Sequence, residues 1–299
     1  METNPVSLQP ADGAEVPRIL PLFNRVQHLY IKQFRVWFAI TAPTSLIATL
    51  ILVLSDRKIR EISRYIPWYE LSKRPFELAE IYLLRFGSFF FVWFLGCFVL
   101  GAIATKVGGL DRDDEELALR DSHQLAREHL LEILQIALLT FIAFVLGMML
   151  SENVYSAILK VVGRARFSPY IFAASLLQWV IVASIVSWLG MAIPYVVRGI
   201  GFWAAVKKSL EAADGYQGFL LLLVLQSLVV SYVAWYVTQY ALFYLLPAFI
   251  RGTSWYGWVA LIASALASAA VEPPIFIGFS LLAEQSARGT DLSEIPVSR

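Results

Sequence analysis

Six stretches of this 299-residue chain contain no Asp, Glu, Lys or Arg: Val36–Ser55, Phe86–Thr105, Ile133–Ser151, Phe167–Val197, Gly215–Ile250 and Gly252–Val271. The shortest has 19 residues, the longest 36, and together they hold 146. At about 1.5 Å per residue, about 20 helical residues cross a hydrocarbon core of about 30 Å. Every run reaches that length. In lipid, each backbone N–H and C=O has to be satisfied within the protein, which leaves helices or closed barrels. Barrel strands would read as alternating segments of about ten residues, not as continuous runs. The expected fold class is therefore all-α: a polytopic membrane protein with six transmembrane helices. The expected spans are about 36–55, 86–105, 133–151, 170–194, 219–247 and 255–282. They form one domain over 18–285, between a disordered tail at 1–17 and a C-terminal tail at 286–299. Charged residues make up only 16% of the chain, against about 25% in soluble domains. That excludes a soluble enzyme, a disordered chain and a small disulfide-built domain.

The fourth and fifth runs are too long for simple crossings. Thirty-six helical residues extend about 54 Å, so these helices have to tilt, bend or leave the bilayer. Pro194 and Pro247 mark break points there, as do Pro43 and the Pro273–Pro274 pair in helices one and six. The segments between spans are patterned too. Ile19, Leu22, Phe23, Val26, Leu29 and Tyr30 recur at helical spacing, with Arg18, Arg25, His28 and Lys32 between them. Residues 200–214 place Trp203, Val206, Leu210 and Ala213 on one stripe and Lys207, Lys208, Glu211 and Asp214 off it. Both read as helices lying in the membrane interface. The more acidic segment 112–131 holds the equivalent place before helix three. The recurring order, an interfacial helix followed by two spans, suggests three repeated units. A shift of 87 pairs Ala126 with Ala213, and a shift of 95 pairs Arg25 with Arg120 and His28 with His123.

Twenty-four basic residues against 23 acidic ones give a net charge of +1. With no basic surplus, nucleic acid is not an expected partner. Six spans put both termini on one side, which collects 13 Lys and Arg against 11 on the other. The positive-inside rule then favours cytoplasmic termini by two charges. The cluster Arg57, Lys58, Arg60 and Arg64 pulls the other way. It reads either as a contact to anionic lipid or as a solvated helical face with pairs such as Arg57–Glu61. Lys207 and Lys208 are the matching headgroup candidates on the interfacial helix.

Glu272 is the sharpest single residue. It follows 20 uncharged residues and precedes 11 more. An ionised side chain inside a span costs about 3 kcal/mol and by default marks function. Its neighbours Pro273 and Pro274 free backbone carbonyls, so a protonatable or cation-binding site is one reading. A structural carboxyl at a shallow kink is the other. Gln178, Gln226 and Gln239 lie in spans and are candidate partners for it, or interhelical packing contacts. His123 and His129 are six apart and do not share a helical face as a zinc pair would, so no metal ligands are assigned. Cys97, the single cysteine, reads as a buried structural thiol. Small residues in helix six, Ala260, Ala263, Ser264, Ala267, Ser268 and Ala270, suit close helix contact. Trp37, Trp255 and Trp258 at span ends are expected to anchor at headgroups, and Trp93, Trp179, Trp188 and Trp235 to pack in the bundle. The sequence contains no Gly-x-Ser-x-Gly, P-loop, dinucleotide or His-Glu-x-x-His motif, so no enzyme activity and no cofactor are expected.

Ala205–Val206–Lys207–Lys208–Ser209–Leu210, then Pro274, Leu281–Leu282 and Gly289–Thr290–Asp291–Leu292, resemble the bacterial six-helix membrane domain that accompanies some glycerophosphodiester phosphodiesterases, and its stand-alone relatives. Members tend to end in a leucine pair, Tyr-Tyr-Asp, arginines and Gly-x-Asp-Leu. Here Ala283–Glu284–Gln285 replaces the Tyr-Tyr-Asp step. No part of the chain corresponds to the soluble phosphodiesterase barrel, so no catalytic residue carries over. The resemblance implies an integral protein of the bacterial inner membrane. The expected function is that of a non-catalytic scaffold or accessory protein contacting lipid headgroups, a membrane partner or a second copy of itself. The alternative is a transporter or channel for ions, small solutes or lipid, with Glu272 in the pathway.

Overall fold

A computed structural model describes residues 19–66, 70, 73–110, 119–162, 180, 183–245 and 254–288. The described residues are helical apart from short connections, with no strand among them. In chain order the helices are α1 (Ile19–Lys32), α2 (Phe34–Tyr65), α3 (Pro75–Leu110), α4 (Leu119–Glu128) and α5 (Leu130–Val162). There follow α6 (Ala192–Val196), α7 (Phe202–Leu245), α8 (Ser254–Val271) and α9 (Pro273–Arg288). Five stretches are long and apolar enough to cross a membrane: Phe34–Arg64, Pro75–Gly109, Leu130–Leu150, Tyr216–Leu242 and Gly257–Ser286. The sixth expected span, 170–194, is described only in part, since residues 170–179, 181 and 182 lie outside the described residues. Its described end belongs to a shorter apolar helix, Ala183–Val196, whose last turn is α6. The tail at 1–17 also lies outside the described residues, and of the expected tail at 286–299 only the part up to Arg288 is described, as the end of α9.

The helices outlast their apolar runs. Beyond Ser55, α2 continues through its charged turns, held by the i,i+4 pairs Asp56–Arg60 and Arg57–Glu61. It meets the start of α3 in a small apolar cluster of Ile66 and Ile81 with Ile59, Ile62 and Leu78. The segment expected as a loop at 56–85 is thus largely a helical hairpin.

α1, α4 and the first part of α7 each join the long helix that follows through one non-helical residue. Gln33, with φ −118° and ψ 27°, separates α1 from α2, and its carbonyl accepts from the N–H groups of Val36 and Trp37 at 2.9 and 3.2 Å. His129 stands between α4 and α5, and its carbonyl accepts from Ile133 at 3.0 Å. Tyr216, with φ −127° and ψ 16°, interrupts α7 in the same way. The long fifth run bends at Tyr216, near its start, while its expected break point, Pro247, lies outside the described residues.

Packing is concentrated at the end of the bundle that carries these hinges. One apolar cluster contains Val26 and Trp37, Ala126 and Ile133, Ala213 and Leu220, together with Val99–Val107 positions of α3, all of α6's apolar residues and Ile275–Ala283 positions of α9. The far halves of the spans instead expose large side chains, among them Leu146, Leu150, Val229 and Val237. α9 lies inside the packed end, against α1, α3, α6 and α7. Gly278 lets it approach α7 so closely that any Cβ there would collide with Leu223. The buried face of α8, which packs on α2 and α7, is Leu261, Ala265 and Ala269, whereas the small residues singled out from the sequence, Ala260, Ala263, Ser264, Ala267, Ser268 and Ala270, are only partly buried. Trp37 departs from its expected place. It is fully buried, and its Nε1 donates to the Leu29 carbonyl at 3.0 Å across the first hinge. Trp188, expected in the bundle, is exposed, while Trp93 does link α3 to α5 by donating to Thr140 Oγ1 at 2.8 Å.

Candidate functional site

Glu272 is the single residue between α8 and α9. Its N–H donates to Ser268 at 3.0 Å and its carbonyl accepts from Ile275 at 3.2 Å. Pro273 and Pro274 occupy the first positions of α9, where a missing N–H is tolerated. The cost falls on α8. In a continuous helix the N–H groups of residues 273 and 274 would bond the carbonyls of Ala269 and Ala270. Two hydroxyls from other helices take their place. Thr41 Oγ1 of α2 donates to the Ala269 carbonyl at 2.8 Å, and the Tyr30 hydroxyl of α1 donates to the Ala270 carbonyl. Burial raises the Tyr30 pKa above its ordinary 10.0, which keeps the donor proton in place. The carbonyls freed by the prolines are therefore occupied by protein donors. The Glu272 carboxyl sits at the N-terminal end of α9.

Of the amides expected near Glu272, Gln226 is half-buried on α7 and its side-chain oxygen is buried without a hydrogen-bond donor. Gln239 lies in α7, but its side chain falls outside the described residues, as does the whole of Gln178.

A second polar centre was not singled out from the sequence. Arg198 and Glu284 form an ion pair at the packed end, with side chains 21% and 11% exposed. The backbone explains how Arg198 gets there. Gly199 adopts φ +81°, its N–H donates to Val196 at 2.8 Å, and Ile200 donates to Tyr195 at 3.2 Å. That is a Schellman ending with glycine in the left-handed position. It stops the helix so that Arg198 meets α9. The Glu284 carboxylate also lies over Gly108 of α3, where a Cβ would stand 3.8 Å from its Oε2. Two residues away on the same helix, Lys106 is only 5% exposed. The one available signal was the Glu284–Gln285 pair in the last apolar segment, which spacing does not connect to Arg198.

The headgroup candidates divide between the two ends of the bundle. Arg57, Lys58, Arg60 and Arg64 lie on the exposed α2–α3 hairpin, about 36 Å along α2 from Gln33 for Arg57. Arg57 and Arg60 pair with Glu61 and Asp56. Lys207 and Lys208 are exposed on the first segment of α7, with Lys207 paired to Glu211 at 3.7 Å. The buried stripe of that segment is Ala205, Val206, Ser209 and Ala213, and Ser209 donates to the Trp188 carbonyl at 2.7 Å. Trp203 and Leu210, expected on one stripe with Val206 and Ala213, are exposed, as the lysines are.

His123 stacks on Phe98 with ring centres 5.9 Å apart, and burial lowers its pKa from the usual 6.5. Cys97 is partly buried in α3 beside Thr140. No group of three or more metal-ligating side chains occurs among the described residues. Compared with protein-family models, curated proteins and solved structures, the chain matches none.

Proposed function

We propose that this chain is a non-catalytic membrane scaffold of six spans, built from three units and engaging lipid headgroups with its hinge end. The carrying observation is the one-sided core: tight packing gathers the interfacial helices at one end, while the apolar far halves stay open to lipid. The exposed Trp203 and Leu210 beside Lys207 and Lys208 suit a headgroup contact, with the ring at the interface and the ammonium groups on phosphates.

Three units are supported by more than order. Tyr216 follows His129 by the 87 residues of the sequence shift. At that shift Ser122 and Ser209, Ala126 and Ala213, Ile133 and Leu220, and Ile136 and Leu223 are buried in pairs. Gln33 precedes His129 by 96 residues, one more than the shift that aligns Arg25 with Arg120. Setting hinge on hinge adds Val26, Trp37 and Ile40 to the buried sets. Contacts also repeat in a cycle. α1 packs on α9, α4 on α3, and the first part of α7 on the segment leading to α6. Each interfacial helix leans on the returning span of the preceding unit. In this reading the hinge end faces the cytoplasm of a bacterial inner membrane, as the two-charge excess favours.

The test uses the full chain in mild detergent. A Trp203→Ser, Lys207→Gln, Lys208→Gln variant changes only exposed residues. It should fold as the wild type does, yet lose most co-purifying anionic lipid and any co-purifying membrane protein. Unchanged recovery of both removes the basis for the scaffold reading.

Transport is the second reading, favoured by one observation: the helix break at Glu272, with the unpaired Gln226 oxygen on neighbouring α7. Proteoliposomes should then show proton or cation flux that Glu272→Gln abolishes. Equal flux in wild type, variant and empty vesicles ends that reading.

A further inference from the structure

The first two interfacial helices carry opposite charge on their exposed sides. From Ile19 to Arg35 the chain contains no acid, and His28, Lys32 and Arg35 are exposed. From Asp121 to Glu132 it contains three acids and a single Lys or Arg, Arg127. Asp121 and Glu128 are exposed there and Glu132 is half-buried. Lys32, Arg35, Asp121 and Glu128 make no ion pair among the described residues. By contrast, Arg57, Arg60 and Lys207 each meet an acid one turn away on their own helix. Large apolar side chains are exposed beside both sets: Ile31 is 72% exposed next to Lys32, and Leu131 is 65% exposed next to Glu132.

The hinges fix the depth of these charges. Gln33 and His129 each stand where an interfacial helix turns into a span, so both lie at the membrane surface. Lys32 directly precedes the first hinge and Glu128 directly precedes the second. Two copies side by side in one membrane therefore bring Lys32 of one level with Glu128 of the other. The bend itself requires neither charge, because the third hinge has Gly215 at that position. Anionic lipid suits the α1 side but is repelled by the α4 side. A two-fold contact through either side would set like charge on like, so the pattern selects a head-to-tail contact.

We propose that copies of this chain associate head to tail in the membrane plane, the α1–α2 junction of one copy against the α4–α5 junction of the next. Lys32 and Arg35 meet Glu128 and Glu132 of the neighbour, and Ile31 packs against its Leu131. Each copy offers one cationic and one acidic side, so the contact repeats until a ring closes. The third interfacial segment, with Trp203, Lys207 and Lys208, stays outside this contact and keeps its headgroup role. The assembly rests on the three-unit scaffold reading above, which sets hinge on hinge, and names the scaffold's partner as a second copy.

Charge reversal with rescue tests it, read by native mass spectrometry of the full chain in mild detergent. Wild type should form closed oligomers of one size. Lys32→Glu with Arg35→Glu, or Glu128→Lys with Glu132→Lys, should weaken association on the order of tenfold or more. All four changes in one chain should restore the wild-type size, and mixing the two reversed variants should restore association. In membranes, oxidation of a Cys97→Ser background carrying Lys32→Cys and Glu128→Cys should give a ladder of crosslinked copies, while Lys32→Cys alone should not. Trp203→Ser with Lys207→Gln and Lys208→Gln should lose anionic lipid and keep the oligomer size. A monomeric wild type, or oligomers that ignore either reversal, overturns the contact. So does an absent ladder, whatever the reversed variants do, and a ladder from Lys32→Cys alone overturns the head-to-tail geometry. Release of a basic protein other than this chain on reversing Glu128 and Glu132 overturns the assigned occupant. Lipid loss from the Trp203 variant leaves the headgroup reading standing through any of these failures. A wild type with neither lipid nor oligomers overturns both.

Discussion

Pro273 and Pro274 each take one N–H donor from α8, and one hydroxyl from another helix replaces each. Thr41→Val or Tyr30→Phe should leave a buried carbonyl unsatisfied, at a cost of about 1–3 kcal/mol. Restoring the matching N–H should recover much of it: Pro273→Ala for Thr41→Val, and Pro274→Ala for Tyr30→Phe. Thermal unfolding of the four single and two double variants in detergent reads this directly, and purely additive losses would show that the hydroxyls serve another purpose. Arg198 and Glu284 are a different case. Removing one member of a mostly buried pair strands the other charge, so Glu284→Ala should cost about 3 kcal/mol or more, while Arg198→Met with Glu284→Leu should come close to wild type. His123 sets a pH dependence. Burial favours its neutral form, so the unfolded chain gains the proton first as pH falls. Stability should be full above pH 6.5, decline from there toward the lowered native value, and then level off. His123→Phe keeps a ring against Phe98 and should flatten that slope in unfolding measured across pH. Among these groups, only Glu272 and its prolines were legible beforehand, because they interrupt an apolar pattern. Tyr30, Thr41, Arg198 and Glu284 belong to segments far apart in the chain, and nothing in local spacing joins them.

At the scale of elements, two glycines do unlike work. Gly199 supplies a left-handed backbone, and Gly199→Ala should cost about 1 kcal/mol through that conformation. Gly278 supplies room, and Gly278→Val should cost about 1–3 kcal/mol by forcing α9 away from Leu223. A lower unfolding midpoint for both is expected. A concurrent Leu223→Ala should rescue only the second. The interfacial helices show how far amphipathic pattern reaches. In α1 the apolar spacing names the buried side well, since Leu22 and Val26 are core residues. In the first part of α7 the expected stripe divides, with Val206 and Ala213 buried and Trp203 and Leu210 exposed, because hydropathy does not say which apolar side chains meet protein.

For the whole molecule, the distribution of packing predicts where truncation hurts. Ile133→Ala and Leu220→Ala, at equivalent hinge-end positions, should each cost about 2–5 kcal/mol. Leu146→Ala on the far half should cost well under that, since this side chain is 60% exposed to what becomes lipid. Similar losses at all three sites would contradict a one-sided core. The sequence by itself determined the solvent and the class of fold. Long uncharged runs leave a backbone in lipid no choice but helices, and charged segments have to lie outside them. Proline marked one break, at Glu272, but α2 runs unbroken through Pro43, and the hinges at Gln33, His129 and Tyr216 carry no proline. Only the tertiary structure decided which face of each helix meets protein, which hydroxyl completes which broken bond, and which charges converge at the first hinge. Those outcomes depend on contacts between residues tens to hundreds of positions apart, and in an apolar chain almost any face can be buried until a partner selects one.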